Sequence, residues 1–160
     1  MSNVTLREIT DANRELVAAL RVRADQEQFV SSVAESIEEA VATPQGSPWY
    51  RAIYADDEPV GFVMLSWNVT PAPGILGPFF LWRLLIDERH QRHGYGREAL
   101  TQVTEHVRAA GGTELLTSYH PGDGEPWPFY QGFGFERTGA IEEGEYVLRL
   151  DLRATAPLGR

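Results

Sequence analysis

Apolar residues change their spacing along this chain, and each change marks a predicted element. NVTLREIT (3–10) alternates apolar and polar positions as a half-buried strand does, and Thr10 or Asp11 is placed to cap a helix over ANRELVAALRV (12–22). Phe29, Val33, Ile37 and Val41 then recur every four positions, which predicts one face of a second helix with Glu35, Glu38 and Glu39 directed mostly elsewhere. WYRAIYA, DDEP and VGFVMLSW (49–67) read as a hairpin about an acidic turn containing Pro59. Strict alternation puts Val60, Phe62 and Met64 on one face and Val63, Leu65 and Trp67 on the other.

NVTPAPGILGP (68–78) holds three prolines and two glycines between apolar runs, and reads as a loop inside the domain. FFLWRLLID (79–87) is almost continuously apolar, which suits a central strand covered on both faces. After QRHGYG (91–96), Ala99, Leu100, Val103, Val107 and Ala110 keep a helical period until Gly111 and Gly112 end it. TELLTSY (113–119) is the next strand, so strand, helix and strand make a crossover with parallel strands. PWPFYQGF (126–133) is a short helix or turn, and FGFERTG and EYVLRLDL close as a hairpin. The predicted order is β-α-α-β-β-β-α-β-α-β-β, a mixed α/β sheet. One domain over residues 1–153 is expected, with 154–160 as a frayed tail.

QRHGYG raises the first chemical question. A helix start carries N–H groups without partners and partial positive charge, so it receives anions. Glycine permits unusual dihedrals and lets a ligand approach the main chain. Gly94 and Gly96 therefore read as a phosphate cradle or, alternatively, as a tight strand-to-helix turn that holds nothing.

Composition narrows the field. The absence of cysteine excludes disulfides, thiolate metal sites and a cysteine nucleophile. MSNVTLREIT has no signal-peptide apolar core and no apolar run approaches membrane-spanning length, so a soluble cytoplasmic protein is expected and the Asn-x-Thr patterns at Asn3 and Asn68 are discounted. A formal charge of −9 argues against binding nucleic acid and favours a cationic partner. The clusters Asp56, Asp57, Glu58 and Glu142, Glu143, Glu145 fall in predicted hairpin turns and read as solvated surface. His90-x-x-His93 lacks a third ligand, so no metal is expected.

Gly94-Tyr95-Gly96-Arg97-Glu98-Ala99 also satisfies the dinucleotide fingerprint, which would make the chain a nucleotide-dependent oxidoreductase. That fingerprint normally follows the first strand, whereas about four strands precede it here. Its acidic ribose partner ~20 residues on would fall in LLTSY, which has none. A Walker A loop lacks its Gly-Lys-Ser/Thr.

Gln91-x-x-Gly94-x-Gly96 after an apolar strand resembles the Q/R-x-x-G-x-G/A motif of the GCN5-related N-acetyltransferases (GNAT). FYQGFGFERTG (129–139) is similar to that family's later segment, in which a tyrosine precedes an L/F-G-F turn. Together with the element order, the likeness covers most of the chain. LLIDERHQRHGYGREAL and TSYHPGDGEPWPFYQGFGF most resemble the bacterial spermine/spermidine (diamine) acetyltransferases.

The resemblance implies acetyl-CoA as co-substrate, with its pyrophosphate on the backbone of Arg92, His93, Gly94, Tyr95, Gly96 and Arg97. It implies Gln91 bracing the turn and the edge Leu84, Leu85, Ile86 pairing with the pantetheine arm. Tyr130 takes the family's general-acid position; its alternative is an aromatic packed against Phe129, Phe133 and Phe135. The implied reaction is acetyl transfer to a primary amine, a polyamine among the acceptors, by direct attack. The rival is a silent CoA-binding module on the same fold. Glu27, His120, Asp123 and Glu125 are candidates for the base. Trp82 and Arg83 stand where the polyamine enzymes can place acids; Arg83, sharing a predicted face with Leu81 and Leu85, would repel a polyamine unless neutralised. Trp49, Trp67, Trp82 and Trp127 could line an amine pocket, and loops 68–78 and 120–128 are expected on the acceptor side. The family's habit makes a homodimer an expected assembly.

Overall fold

The computed structural model describes residues 3–153, so the tail expected at 154–160 lies outside the described residues. Seven strands form one sheet in the order β1-β2-β3-β4-β5-β7-β6. They are β1 (Val4–Arg7), β2 (Pro48–Ala55), β3 (Glu58–Ser66), β4 (Phe80–Ile86), β5 (Glu114–Tyr119), β6 (Glu136–Glu142) and β7 (Glu145–Asp151). Helices α1 (Arg14–Ala18) and α2 (Val33–Ala42) cover one face. Helices α3 (Tyr95–Ala109) and α4 (Trp127–Phe133) cover the other. The element order is the one the periodicity predicts. Among the described residues no helix is long and apolar enough to cross a membrane.

Both early helices are shorter than predicted. Neither Thr10 nor Asp11 caps α1: its N-cap is Asn13, whose side chain turns back to accept the Thr10 N–H at 2.8 Å and to donate to the Tyr54 hydroxyl at 3.0 Å. Helix α2 starts four residues late because Ser32 and Glu35 close a capping box, the Ser32 hydroxyl accepting Glu35 N–H at 3.1 Å and the Glu35 carboxylate accepting Ser32 N–H at 3.0 Å. That box holds the Glu35 carboxyl below its usual range. Phe29 stays ahead of the helix. Val41 is 75% exposed, since a spacing of four drifts off a 3.6-residue turn and the buried stripe runs through Val33, Ser36 and Ala40 instead. Ala110 likewise falls just past the end of α3, as its C-cap.

Two bulges displace the strand faces from strict alternation. Ile53 pairs with Gly61 but Tyr54 with Pro59, so Val60 is an extra residue and packs with Val63 and Leu65 under α3, not with Phe62 and Met64. Met64 pairs with Arg83 but Leu65 with Leu81, which makes Trp82 the extra residue of β4. Arg83 therefore shares the α1/α2 face with Trp82 and Leu85, while Leu81 packs on the α3 side.

Among the described residues, strands β4 and β5 are the one parallel pair, and they pair at only two positions, Phe80 with Leu116 and Leu81 with Thr117. Beyond the Trp82 bulge they part. Of the remaining length of β4, expected to be covered on both faces, Arg83, Leu84 and Ile86 are partly exposed and Leu85 is buried. Gly61 lies across the sheet from this free segment, and a Cβ there would stand 2.4 Å from the Leu85 carbonyl oxygen and 2.8 Å from Ile86 Cδ1. Gly61→Ala should lower stability by about 1–3 kcal/mol through overpacking against backbone, read as a lower denaturant midpoint in equilibrium unfolding.

Candidate active site

The parting of β4 and β5 opens a cleft of about 1260 Å³. One wall is the free edge of β4. Asp87 N–H donates to the Val60 carbonyl at 2.8 Å, so alternation turns the backbone of Leu84 and Ile86 toward the cleft. The Gln91 side-chain amide donates to the Ile86 carbonyl at 2.9 Å and to Gln26 Oε1 at 2.8 Å, while Arg23 donates to Gln91 Oε1 at 3.2 Å. Gln91 thus fastens the turn both to the strand end and to the segment between α1 and α2.

Asp87, which the sequence reading passed over, fixes the same corner. Its carboxylate accepts the backbone N–H of Arg21 at 2.8 Å and the Nε of Arg89 at 2.8 Å. Burial pushes this carboxyl up, yet those donors outweigh it and the group sits below the usual carboxylate range.

The cradle has unlike glycines. Gly94, the N-cap of α3, has φ +81° and Arg92 φ +67°, so the chain curls twice through the left-handed region before the helix begins. Gly94 is glycine for its dihedral. Gly96 is helical, and a Cβ there would meet Ile86 Cγ1 at 3.5 Å and Phe129 Cζ at 3.7 Å, ordinary contacts. Its bareness keeps the helix start open to a ligand. The first intrahelical bond is Glu98 N–H to the Gly94 carbonyl at 3.0 Å, which leaves the N–H groups of Gly96 and Arg97 at the helix start. Arg97 lies over the Phe133 ring at 5.3 Å, and Arg92 borders the cleft. His93 instead stacks on Tyr95 at 5.4 Å with its Nδ1 3.0 Å from the His90 carbonyl, and contributes no side chain to the cleft.

Tyr130 reaches the apex of the gap from α4. Its phenol lies beside Thr117, whose hydroxyl donates to the Leu81 carbonyl at 2.9 Å. Leu81 and Thr117 form the last pair before the strands part, so the phenol stands at the fork. Burial pushes this phenol up to about 12, with the neighbouring Thr117 hydroxyl pulling down and the Glu145 charge adding to the rise. It also packs edge-on against Phe129 and Phe135 at 5.3 Å. The packing and the chemical position belong to the same ring.

Among the other predicted residues, Glu27, Trp82, Arg83, His120 and Glu125 line the cleft and Asp123 does not. Glu125 accepts the Gly122 N–H at 3.0 Å and faces Arg137 at 4.0 Å. Arg83 pairs with Glu39 of α2, so its charge is neutralised within the fold, and Glu39 does not point away from the sheet as expected. Trp49 stacks on Trp67 at 5.4 Å within the core, and Trp127 carries Arg137 over its ring at 4.2 Å, so these three rings serve packing. Loop 68–78 enters β4 at the end away from Ile86 and gives the cleft nothing. Residues that sequence reasoning missed come from the α1–α2 connection, Phe29 and Ser31 among them, and from β7, where Glu145 accepts the Ser118 hydroxyl at 2.7 Å.

A sheet split beside an open helix start, with a buried phenol at the fork, defines an acyl-transferring enzyme that holds a phosphate-bearing carrier. The acetyltransferase (GNAT) family model matches residues 11–135, and the chain belongs to that family. It is an acetyl-CoA-dependent N-acetyltransferase, acetyl-CoA being its co-substrate. The chain is 26% identical over 153 residues to the spermine/spermidine N(1)-acetyltransferase of Bacillus subtilis (strain 168), across 94% of this chain and 99% of that one. Its fold is similar to AAC(6')-Ib in complex with ribostamycin and coenzyme A, with TM-score 0.74 and 18% identity over 96% of each chain. It is also similar to the PaiA N-acetyltransferase of Thermoplasma acidophilum in complex with coenzyme A, with TM-score 0.64 and 15% identity over 93% of this chain and 99% of that one.

Gly96→Glu separates stability from binding. An acid in the first turn favours the helix and its Cβ would make only ordinary contacts, but it puts negative charge where phosphate should lie. The melting temperature should stay near wild type while acetyl-CoA affinity, read by calorimetry, falls at least about tenfold. Unchanged affinity would move the phosphate site elsewhere.

Tyr130 gives a second test. Ultraviolet titration should show a phenolate signal rising near 12 in the wild type that is reduced in Tyr130→Phe. Because the folded value lies above the ordinary ~10, the stability gained by keeping this phenol neutral is intact below ~10 and is lost as pH rises through that higher value. Unfolding measured at neutral and alkaline pH should show the loss in the wild type and not in the variant.

Proposed function

We propose that the chain acetylates a small cationic amine, with a polyamine or diamine as the favoured acceptor. The observation that carries the reading is that the β4–β5 gap joins two unlike sides. The helix start with Arg92 and Arg97 lies on the α3 side. The α1/α2 side of the cleft presents Glu27, Glu35 and Glu145, with Arg83 of β4 already paired to Glu39 and Arg23 to Asp25. An anionic carrier and a cationic acceptor would thus enter from opposite faces and meet at the fork. The likeness to a spermine/spermidine acetyltransferase points the same way.

In this reading the backbone from Arg92 to Arg97 holds the pyrophosphate and Gln91 keeps the turn fastened to β4. The cleft-facing groups of Leu84 and Ile86 take the place of a missing strand partner for the pantetheine arm, and an amide of this edge polarises the thioester carbonyl. Tyr130 remains a phenol at neutral pH and donates its proton to the leaving thiolate. Residues 1–153 act as one N-acetyltransferase domain, and a homodimer is the assembly the family resemblance suggests.

The test follows free thiol released from acetyl-CoA across an amine panel containing spermidine, putrescine and a monoamine. Spermidine should give the highest kcat/KM, and Tyr130→Phe should lose about 100-fold in kcat with acetyl-CoA affinity within threefold of wild type. Thiol release with a monoamine matching spermidine would remove the polyamine preference. Binding without release across the panel would favour the silent module.

A further inference from the structure

The acceptor amine must lose a proton, and most of the carboxylates expected to receive it are committed or misplaced. Glu125 serves its own turn and Arg137, Asp123 is outside the cleft, and Glu27 lines the cleft where it runs into the side pocket beneath α2, on the α1–α2 connection and away from β5 and β7. Glu145 differs. It is half-buried, lines the cleft, accepts the Ser118 hydroxyl at 2.7 Å, and lies close enough to Tyr130 for its charge to bear on the phenol.

The register gives this pair its side. Leu115, Thr117 and Tyr119 of β5 are buried, and Leu115 and Tyr119 belong to the core under α3 and α4, so Ser118 stands on the opposite face. Ser118 pairs with Val147 of β7, which places Glu145, two residues earlier, on that same acceptor face and diagonal to Ser118. Tyr130 comes to the gap from the other side. A thioester held at the fork would have the phenol toward the α4 side and the serine–glutamate pair toward the acceptor.

We propose that Ser118 and Glu145 are the proton-accepting pair for the acceptor amine, Ser118 touching the nitrogen and Glu145 receiving the proton. This rests on the amine-acetylating reading above. The ammonium gives a proton to Ser118 Oγ as the Ser118 hydroxyl proton passes to Glu145, leaving a free amine. The nitrogen lone pair then forms the C–N bond and the carbonyl electrons move onto oxygen. Collapse breaks the C–S bond, the thiolate takes the Tyr130 proton, and the proton shed by the new amide nitrogen restores the phenol. Glu145 finally releases its proton to solvent. The sum is ammonium plus acetyl thioester giving amide, thiol and one proton. Titratable groups around Glu145 are Tyr130 from α4, Glu142 as its register partner on β6 and His120 just past β5, while Tyr119 and its register partner Tyr146 turn to the opposite face.

The experiment measures kcat and KM for spermidine from pH 6 to 10 in the wild type, Glu145→Gln, Glu145→Asp and Ser118→Ala, with acetyl-CoA affinity by calorimetry as the check on folding. Glu145→Gln should bind acetyl-CoA within threefold of wild type and lose about 100-fold in kcat at pH 7. That deficit should shrink by about tenfold per pH unit as the amine approaches its own deprotonation near ~10. Glu145→Asp should recover part of the rate, and Ser118→Ala should show a smaller loss of the same pH form. An active wild type beside a Glu145→Gln variant within threefold of it, or with a deficit independent of pH, overturns the pair and leaves the acetylation reading standing. A wild type that releases no thiol with any amine overturns both. Should Glu145→Gln fail to bind acetyl-CoA, Ser118→Ala decides by the same pH criterion.

Discussion

Everything in this molecule that bears on chemistry depends on two strands ceasing to pair. Parallel β4 and β5 share two residue pairs and then diverge, although abandoning strand hydrogen bonds leaves backbone groups that must find partners elsewhere. The cause lies in the extra residue at Trp82, which bends β4 as bulges do. The fold then takes up part of the loss locally. Thr117 satisfies the Leu81 carbonyl at the fork and Gln91 satisfies the Ile86 carbonyl at the strand's end. Between those two fixed points the edge stays open to an extended ligand, which can complete the ladder that β5 abandons.

A gap in a sheet covered on both faces is a passage, and the two faces differ electrostatically. On one side a long helix starts without a side-chain cap, so its dipole and open N–H groups attract phosphate. On the other, carboxylates outnumber cations because Glu39 cancels Arg83. The negative total charge of the chain hides this separation, since a sum over all residues carries no geometry.

Much of this was legible in the sequence where regular periodicity governs. The element order, the crossover and the glycine-marked helix start follow from periods of 2 and 3.6 and from punctuation by glycine. Strict counting fails where one residue is added. The bulge at Val60 moves it to the other core, and the bulge at Trp82 carries Arg83 away from Leu81. Val41 fails because four is not the helical period. Glu145 fails for a different reason: a run of acids around Gly144 reads as a solvated turn, yet the hairpin turns at Glu143 and Gly144 and the next residue already belongs to a strand. Its alternation with Val147 was available, but the partner strand that gives it meaning lies 27 residues earlier.

Arg83 shows how such long-range information changes a chemical reading. Taken alone, a cation beside the reacting centre argues against a cationic acceptor. In the fold its guanidinium is held by Glu39 from α2, donates to the Trp82 carbonyl at 2.9 Å, and exerts an attractive charge on Glu35. The pair is partly buried, so removing Glu39 would leave a poorly solvated cation on the acceptor wall, whereas removing Arg83 would add an uncompensated acid there. The first change would repel an ammonium and the second would attract it. In the proposed reading, acceptor charge preference depends on the pair as a unit, and α2, which carries one half of it, would belong to the acceptor side as much as to the fold.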